Sequence, residues 1–101
     1  MIQLDELKRK MDANENLHLI DVRQSEEHAE FNIGGKLLPL SDILSMQIEK
    51  IEDLKEEEVI CYCRSGQRSM QAAMMLETMG FKNVKNLAGG MLGWQAQFPT
   101  N

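Results

Sequence analysis

Cys63 opens the run Cys63-Arg64-Ser65-Gly66-Gln67-Arg68-Ser69, which holds the residue types needed for thiolate chemistry on an anion. A β-prone apolar segment, Val59-Ile60-Cys61-Tyr62, precedes it, and a helix-prone segment, Met70 to Met79, follows. Cys63 therefore falls at a strand-to-helix turn. Backbone N–H groups of such a turn, together with the positive end of the helix, favour negative charge. The same field lowers a thiol pKa and enriches the nucleophilic thiolate. Gly66 permits a positive φ, so successive N–H groups can converge. The hydroxyls of Ser65 and Ser69 can donate to sulfur or cap the helix. Arg64 and Arg68 can bind an anionic substrate or leaving group.

Each of these residues also has a structural reading. Cys63 as an inert buried thiol fits poorly with a turn position followed by two arginines. Cys61 reads as a small apolar residue of a core strand. A disulfide between Cys61 and Cys63 would close a very small loop and gain little. Arg68 can instead pair with an acid and brace the loop. Asp21 and Arg23 follow a strand end near the site and read as a salt bridge or loop brace. His18 reads as a strand histidine, and His28 as a surface residue of a short helix. Met70, Met74, Met75 and Met79 are read as core filling on one helix, and Trp94 as packing for the C-terminal segment. Two cysteines and two histidines at these spacings form no zinc pattern, so neither a metal nor a cofactor is expected.

The elements that must position Cys63 follow from periodicity and breakers. Leu4, Leu7 and Met11 have helical spacing. Leu17 to Val22 reads as a strand buried on both faces. Ser25 reads as the N-cap of a short helix, with Glu26 and Glu27 in its first turn. Lys36-Leu37-Leu38 is a brief strand stopped by Pro39. Ser41-Asp42 caps a second helix through Ile43, Leu44, Ile48 and Ile51. Lys55 to Glu58 is a solvated turn before the Val59–Tyr62 strand. In the helix after the cysteine loop, Gln67, Gln71 and Thr78 fall within about 40° on the wheel and mark a wet stripe. Gly80 ends that helix. Asn83 to Leu87 is a further strand, Gly89-Gly90 a turn, and Met91 to Phe98 a closing helix. Strands alternating with helices predict an α/β fold, a parallel sheet with helices on both faces. In such sheets ligands bind beyond the carboxyl ends of the strands, where Cys63 lies.

The 101 residues predict a single domain, residues 1–101. An apolar fraction of 43% with 27% charged residues is that of a globular chain, and argues against disorder. The formal charge of −5 speaks against nucleic acid as a partner. From Val59 to Leu76 there is no acid, while Arg64 and Arg68 both lie there. A local positive spot on an acidic protein points to a small anion. No apolar run approaches the roughly 18 residues of a membrane helix. The N-terminus has no basic-then-apolar leader pattern, so a cytoplasmic location with reduced thiols is expected, with no membrane partner.

Four segments, taken together and in order, resemble the signatures of a single-domain rhodanese. They are Leu19-Ile20-Asp21-Val22-Arg23, then Glu26-Glu27, then Cys63 to Ser69, then Leu87-Ala88-Gly89-Gly90-Met91-Leu92-Gly93-Trp94. The resemblance implies a rhodanese-like fold: a central parallel sheet of about five strands flanked by helices on both faces. It also implies sulfurtransferase activity, with Cys63 as the catalytic sulfur carrier passing through a persulfide. The substrate-binding loop would be Arg64, Ser65, Gly66, Gln67 and Arg68. The donor would be a small anion such as thiosulfate, or a persulfide, and the acceptor a thiol or cyanide. Thiosulfate, glutathione persulfide, a cysteine desulfurase and a thioredoxin-like acceptor all stay open as donor or acceptor. The chain departs from the family at Asn32-Ile33-Gly34-Gly35-Lys36, where many members carry a His-Ile-Pro-Gly-Ala run.

Related phosphatases and arsenate reductases use a cysteine loop one residue longer, closed by an arginine that clamps a tetrahedral oxyanion. Four residues separate Cys63 from Arg68 here, a tighter ring that favours one sulfur atom. Phosphatase or arsenate reductase chemistry is the competing enzymatic reading. A sulfur-carrier or binding module with little turnover, or a redox sensor built on the same thiol, are readings of a different class.

Overall fold

The computed structural model describes residues 1–99; residues 100 and 101, which the single-domain assignment 1–101 includes, lie outside the described residues. In chain order the elements are α1 (Leu4–Asp12), β1 (Leu19–Asp21), α2 (Ser25–Glu30), β2 (Lys36–Leu37) and α3 (Leu40–Leu44). A 3₁₀ segment (Glu49–Leu54) leads to β3 (Glu58–Tyr62), α4 (Gln67–Thr78), β4 (Asn83–Asn86) and α5 (Gly90–Gln97).

All strand pairs are parallel, in the order β2-β1-β3-β4. The register sets Asp21 beside Tyr62 and Cys61 beside Asn86. It thereby brings the carboxyl ends of β1, β3 and β4 to one edge. Four strands form where about five were expected. A fifth place beside β4 is held by one rung, Ile2 against Leu87, with Ile2 N–H donating to Asn86 C=O at 3.0 Å.

Alternation along β3 builds a core on each face. Val59 and Cys61, with Cys63 just beyond, pack with Ile20, Ile43, Ala72 and Leu76 under α3 and α4. Ile60 and Tyr62 pack with Leu7, Leu87, Met91 and Trp94 under α1 and α5. Neighbouring residues of one strand must point to opposite faces, so both faces of β3 are apolar. No described helix is long and apolar enough to cross a membrane.

Three local expectations need correction. The helix read from Ser41 through Ile51 is broken. Pro39, not Ser41, holds the N-cap of α3, and Met46 turns left-handed (φ 61°) before the 3₁₀ segment begins. Ile43, Ile48 and Ile51 still reach the core, so the apolar spacing survives although the continuous helix does not. The N-cap of α2 is Gln24 rather than Ser25, in a capping box with Glu27. Of the methionines read as core, Met75 and Met79 pack against it, whereas Met70 and Met74 are 46% and 63% exposed. On α4 the buried stripe is Ser69, Ala72, Ala73 and Leu76, and Met70 and Met74 fall outside it.

Candidate active site

The end of β3 delivers Cys63 into a turn closed by Gly66, whose φ of 106° precedes α4. The sulfur is enclosed, with Cys63 only 1% exposed. Its Sγ accepts from Gly66 N–H at 3.0 Å, Ser69 N–H at 3.4 Å and the Ser69 hydroxyl at 3.3 Å. Burial pushes the thiol pKa up, but donation from the Ser69 hydroxyl and the N–H groups of Ser69, Gly66 and Ser65 outweighs it. The net direction is below the ordinary 9.0. The N-terminus of a twelve-residue helix adds its dipole in the same sense. Cys61 is the contrast: burial, then the neighbouring Cys63 charge, pushes it up to about 12. The two thiols are therefore shifted in opposite directions.

The loop backbone is strapped to α5. Met91 N–H donates to Cys63 C=O at 2.8 Å and Leu92 N–H to Arg64 C=O at 2.9 Å. Gly90 makes this approach possible. A Cβ there would sit 2.5 Å from the Cys63 carbonyl oxygen and 2.6 Å from that of Arg64.

The arginines divide. Arg68 makes a bidentate pair with Glu27, at 2.8 and 2.9 Å, tying α4 to α2. Arg68 lowers Glu27 from 4.5 to about 2. Arg64 is exposed and has no ion-pair partner among the described residues. It lines a pocket of about 150 Å³ with Arg23, Glu27, Phe31 and Met91. Ser65, Gly66 and Gln67 border a larger, more apolar hollow of about 510 Å³ beside Met70 and Ala88. The expected loop residues are thus contiguous but face two sides.

Asp21 and Arg23 form the brace read from sequence. The Asp21 carboxylate, fully buried, accepts from Arg23 Nε at 2.9 Å, Arg23 Nη2 at 2.8 Å and the Arg23 N–H at 3.0 Å. His28 Nδ1 lies 2.8 Å from the same carboxylate. Burial pushes the Asp21 pKa up, and the bonds from Arg23 and His28 bring it below the ordinary carboxylate value. Arg23 also donates to the Phe31 carbonyl, fixing the end of α2. Gly35, in the segment that departs from the family pattern, donates its N–H to the Tyr62 hydroxyl at 3.2 Å.

The sequence places Asn86, at the end of β4, only within a strand. It is 7% exposed, donates from Nδ2 to Gly66 C=O at 3.1 Å and sets Oδ1 within hydrogen-bond distance of the Ser69 hydroxyl. A polar residue at a strand's carboxyl end was the available signal; the partner loop lies about twenty residues upstream and no local pattern names it. No cluster of three or more His, Cys, Asp or Glu side chains able to hold a metal ion occurs among the described residues.

The chain is similar to known proteins in sequence and in fold. Residues 3–97 match the family model for the rhodanese-like domain. The Bacillus subtilis protein named "Putative sulfurtransferase YtwF" is 44% identical over 90% of this chain and 85% of its own length. The human thiosulfate:glutathione sulfurtransferase is 30% identical over 92% of this chain and 90% of its own. The crystal structure of a rhodanese-like domain protein from Staphylococcus aureus superimposes with a TM-score of 0.81. It is 32% identical and covers 92% of this chain and 88% of its own.

Proposed function

The chain belongs to the rhodanese-like domain family, and from that premise we propose that it is a sulfurtransferase working through a Cys63 persulfide. The observation that carries this reading is the enclosed Cys63 sulfur with its converging donors from Gly66 and Ser69. Such a cradle suits a single anionic sulfur atom.

In the first half-reaction the Cys63 thiolate attacks the outer sulfur of thiosulfate. The thiolate lone pair forms the new S–S bond. The bond between the outer and central sulfur breaks, and its electrons leave with sulfite. In the second, a thiolate or cyanide attacks the terminal sulfur of the persulfide, and Cys63 departs as thiolate. No proton is transferred in either attack, so no general base is needed. Arg64, exposed at the polar pocket, meets the sulfonate end of the donor. Arg68 contributes chiefly by holding the loop to α2, because Glu27 occupies its guanidinium. Gly66, with Ser65, supplies N–H groups to the sulfur, and Gln67 lies at the entrance of the helix beside the apolar hollow. A small thiol or the cysteine of a thioredoxin-like or desulfurase partner is the proposed exchange partner.

The phosphatase reading loses support from the same pair. An arginine already bonded through Nη1 and Nη2 to a carboxylate is poorly placed to clamp a tetrahedral oxyanion. Parallel assays of thiosulfate:cyanide exchange and aryl phosphate hydrolysis test the choice. Thiocyanate formation that requires Cys63 is expected; phosphate release without persulfide formation would overturn it.

A further inference from the structure

The Ser69 hydroxyl has two acceptors and one proton. Its Oγ lies 3.3 Å from Cys63 Sγ and within hydrogen-bond distance of Asn86 Oδ1. A hydroxyl donates once, so only one of the two receives the bond at any moment. The Asn86 amide cannot escape the competition by flipping. Its Nδ2 donates to the Gly66 carbonyl at 3.1 Å, and a flip would set two oxygens against each other. Ser69, Asn86 and Cys63 are all buried, so water offers no easy substitute.

We propose that Asn86 competes with the Cys63 sulfur for the Ser69 proton, so that Asn86 is a positioning residue that sets how strongly the anionic sulfur is held. When Cys63 is a thiol, its S–H donates to Ser69 Oγ, and Ser69 donates to Asn86. When the sulfur becomes anionic, the Ser69 hydroxyl rotates to it and Asn86 Oδ1 gives up its donor. The lost bond to Asn86 opposes the gained bond to sulfur. The Asn86 bond to Gly66 meanwhile holds the N–H that faces the same sulfur. Asn86 thus keeps the loop in shape while moderating its grip, which would help a carrier that must also release sulfur.

The charged and titratable groups around the sulfur are Arg64 in the loop, Arg68 on α4 and Cys61 on β3. On β1, Asp21 is engaged by Arg23 and His28. On β4, Lys85 pairs with Glu58, and α5 carries no titratable side chain. None of these changes identity in the following test.

The inference rests on Cys63 as the reacting residue, but its readout does not require sulfur transfer. The pH dependence of Cys63 alkylation by iodoacetamide is measured in the full chain, with and without Asn86→Ala, in Ser69 and Ser69→Ala backgrounds. Mass mapping assigns the adduct to Cys63, and circular dichroism checks folding. With Ser69 present, Asn86→Ala should move the midpoint lower, relative to its effect in Ser69→Ala, by about half to one pH unit. Asn86→Asp, nearly isosteric, repeats the cycle. Its carboxylate holds the Ser69 proton more firmly and should raise the midpoint more when Ser69 is present. Equal changes in the two backgrounds would mean that Asn86 acts only as a brace, and would overturn the proposal. Absence of sulfur transfer in the unsubstituted chain, with the coupling intact, would instead count against the proposed function alone.

Discussion

Arg68 and Glu27, 41 residues apart in sequence, face each other through two parallel hydrogen bonds of 2.8 and 2.9 Å. The pair joins the helix that begins at the cysteine loop to the short helix beyond β1. Glu27 also accepts the Gln24 N–H in the capping box of α2, so one carboxylate serves both helices. Because α2 has no buried residue, polar contacts rather than apolar packing must hold it in place.

Removing the pair should therefore loosen the site more than it unfolds the protein. Glu27→Gln is expected to lower stability by about 1 kcal/mol or less, as for other partly exposed pairs. Urea unfolding measures that figure. Sulfur transfer should fall more than stability does, and Arg68→Lys alone should lower it likewise, because an ammonium cannot make the planar double contact. Full activity in Glu27→Gln would show that the tie is dispensable.

The same pair gives a pH dependence with a definite sign. The Glu27 carboxyl lies at about 2 in the folded chain against an ordinary 4.5. A lowered carboxyl stabilises the fold at pH above its unfolded value, and that contribution is lost as pH falls toward the folded one. The stability difference between the wild-type chain and Glu27→Gln should thus be constant from neutral pH to about 5 and vanish between 4.5 and about 2. A difference unchanged at pH 3 would contradict the assignment.

The lowered Cys63 thiol should alkylate with a midpoint below the ordinary 9.0, and Ser69→Ala should raise that midpoint by removing the hydroxyl donor. Cys61, held up to about 12, should stay unmodified in the folded protein and react only after unfolding. Peptide mapping of the adducts separates the two thiols. Modification of Cys61 first would reverse the assignment of the reactive sulfur.

Gly90 should tolerate no side chain. In Gly90→Ala the new methyl would meet two loop carbonyl oxygens at 2.5 and 2.6 Å, on a backbone with φ of 56°. Left-handed strain plus overlap should cost about 2–4 kcal/mol. Gly34→Ala, with φ of 93° and no atom within 4 Å, should show the strain alone, about 1–2 kcal/mol. Thermal unfolding of the two variants compares them; equal losses would argue that the approach of α5 to the loop is loose.

How much of this was legible depended on range. The Cys63 turn, the alternation of strands and helices and the parallel sheet follow from local periodicity and from one glycine, so the sequence showed them. The break at Met46 did not show, because a left-handed methionine has no signature and Ile43, Ile48 and Ile51 keep helical spacing across it. Met70 and Met74 misled for a related reason. Apolarity alone does not say which side of α4 faces the sheet, and Ala72 and Ala73 took that side by fitting closely. Arg68 was open between substrate and brace, since its partner lies on another element. Asn86 was missed because its role exists only once the register lays β4 beside β3.

The central claim is that Cys63 carries sulfur, and the mass of the intact protein after incubation with thiosulfate tests it most directly. A gain of one sulfur atom is predicted, absent in Cys63→Ser and removed by cyanide with release of thiocyanate. An unchanged mass with thiosulfate and with persulfide donors alike, in a folded chain whose Cys63 still alkylates, would contradict it.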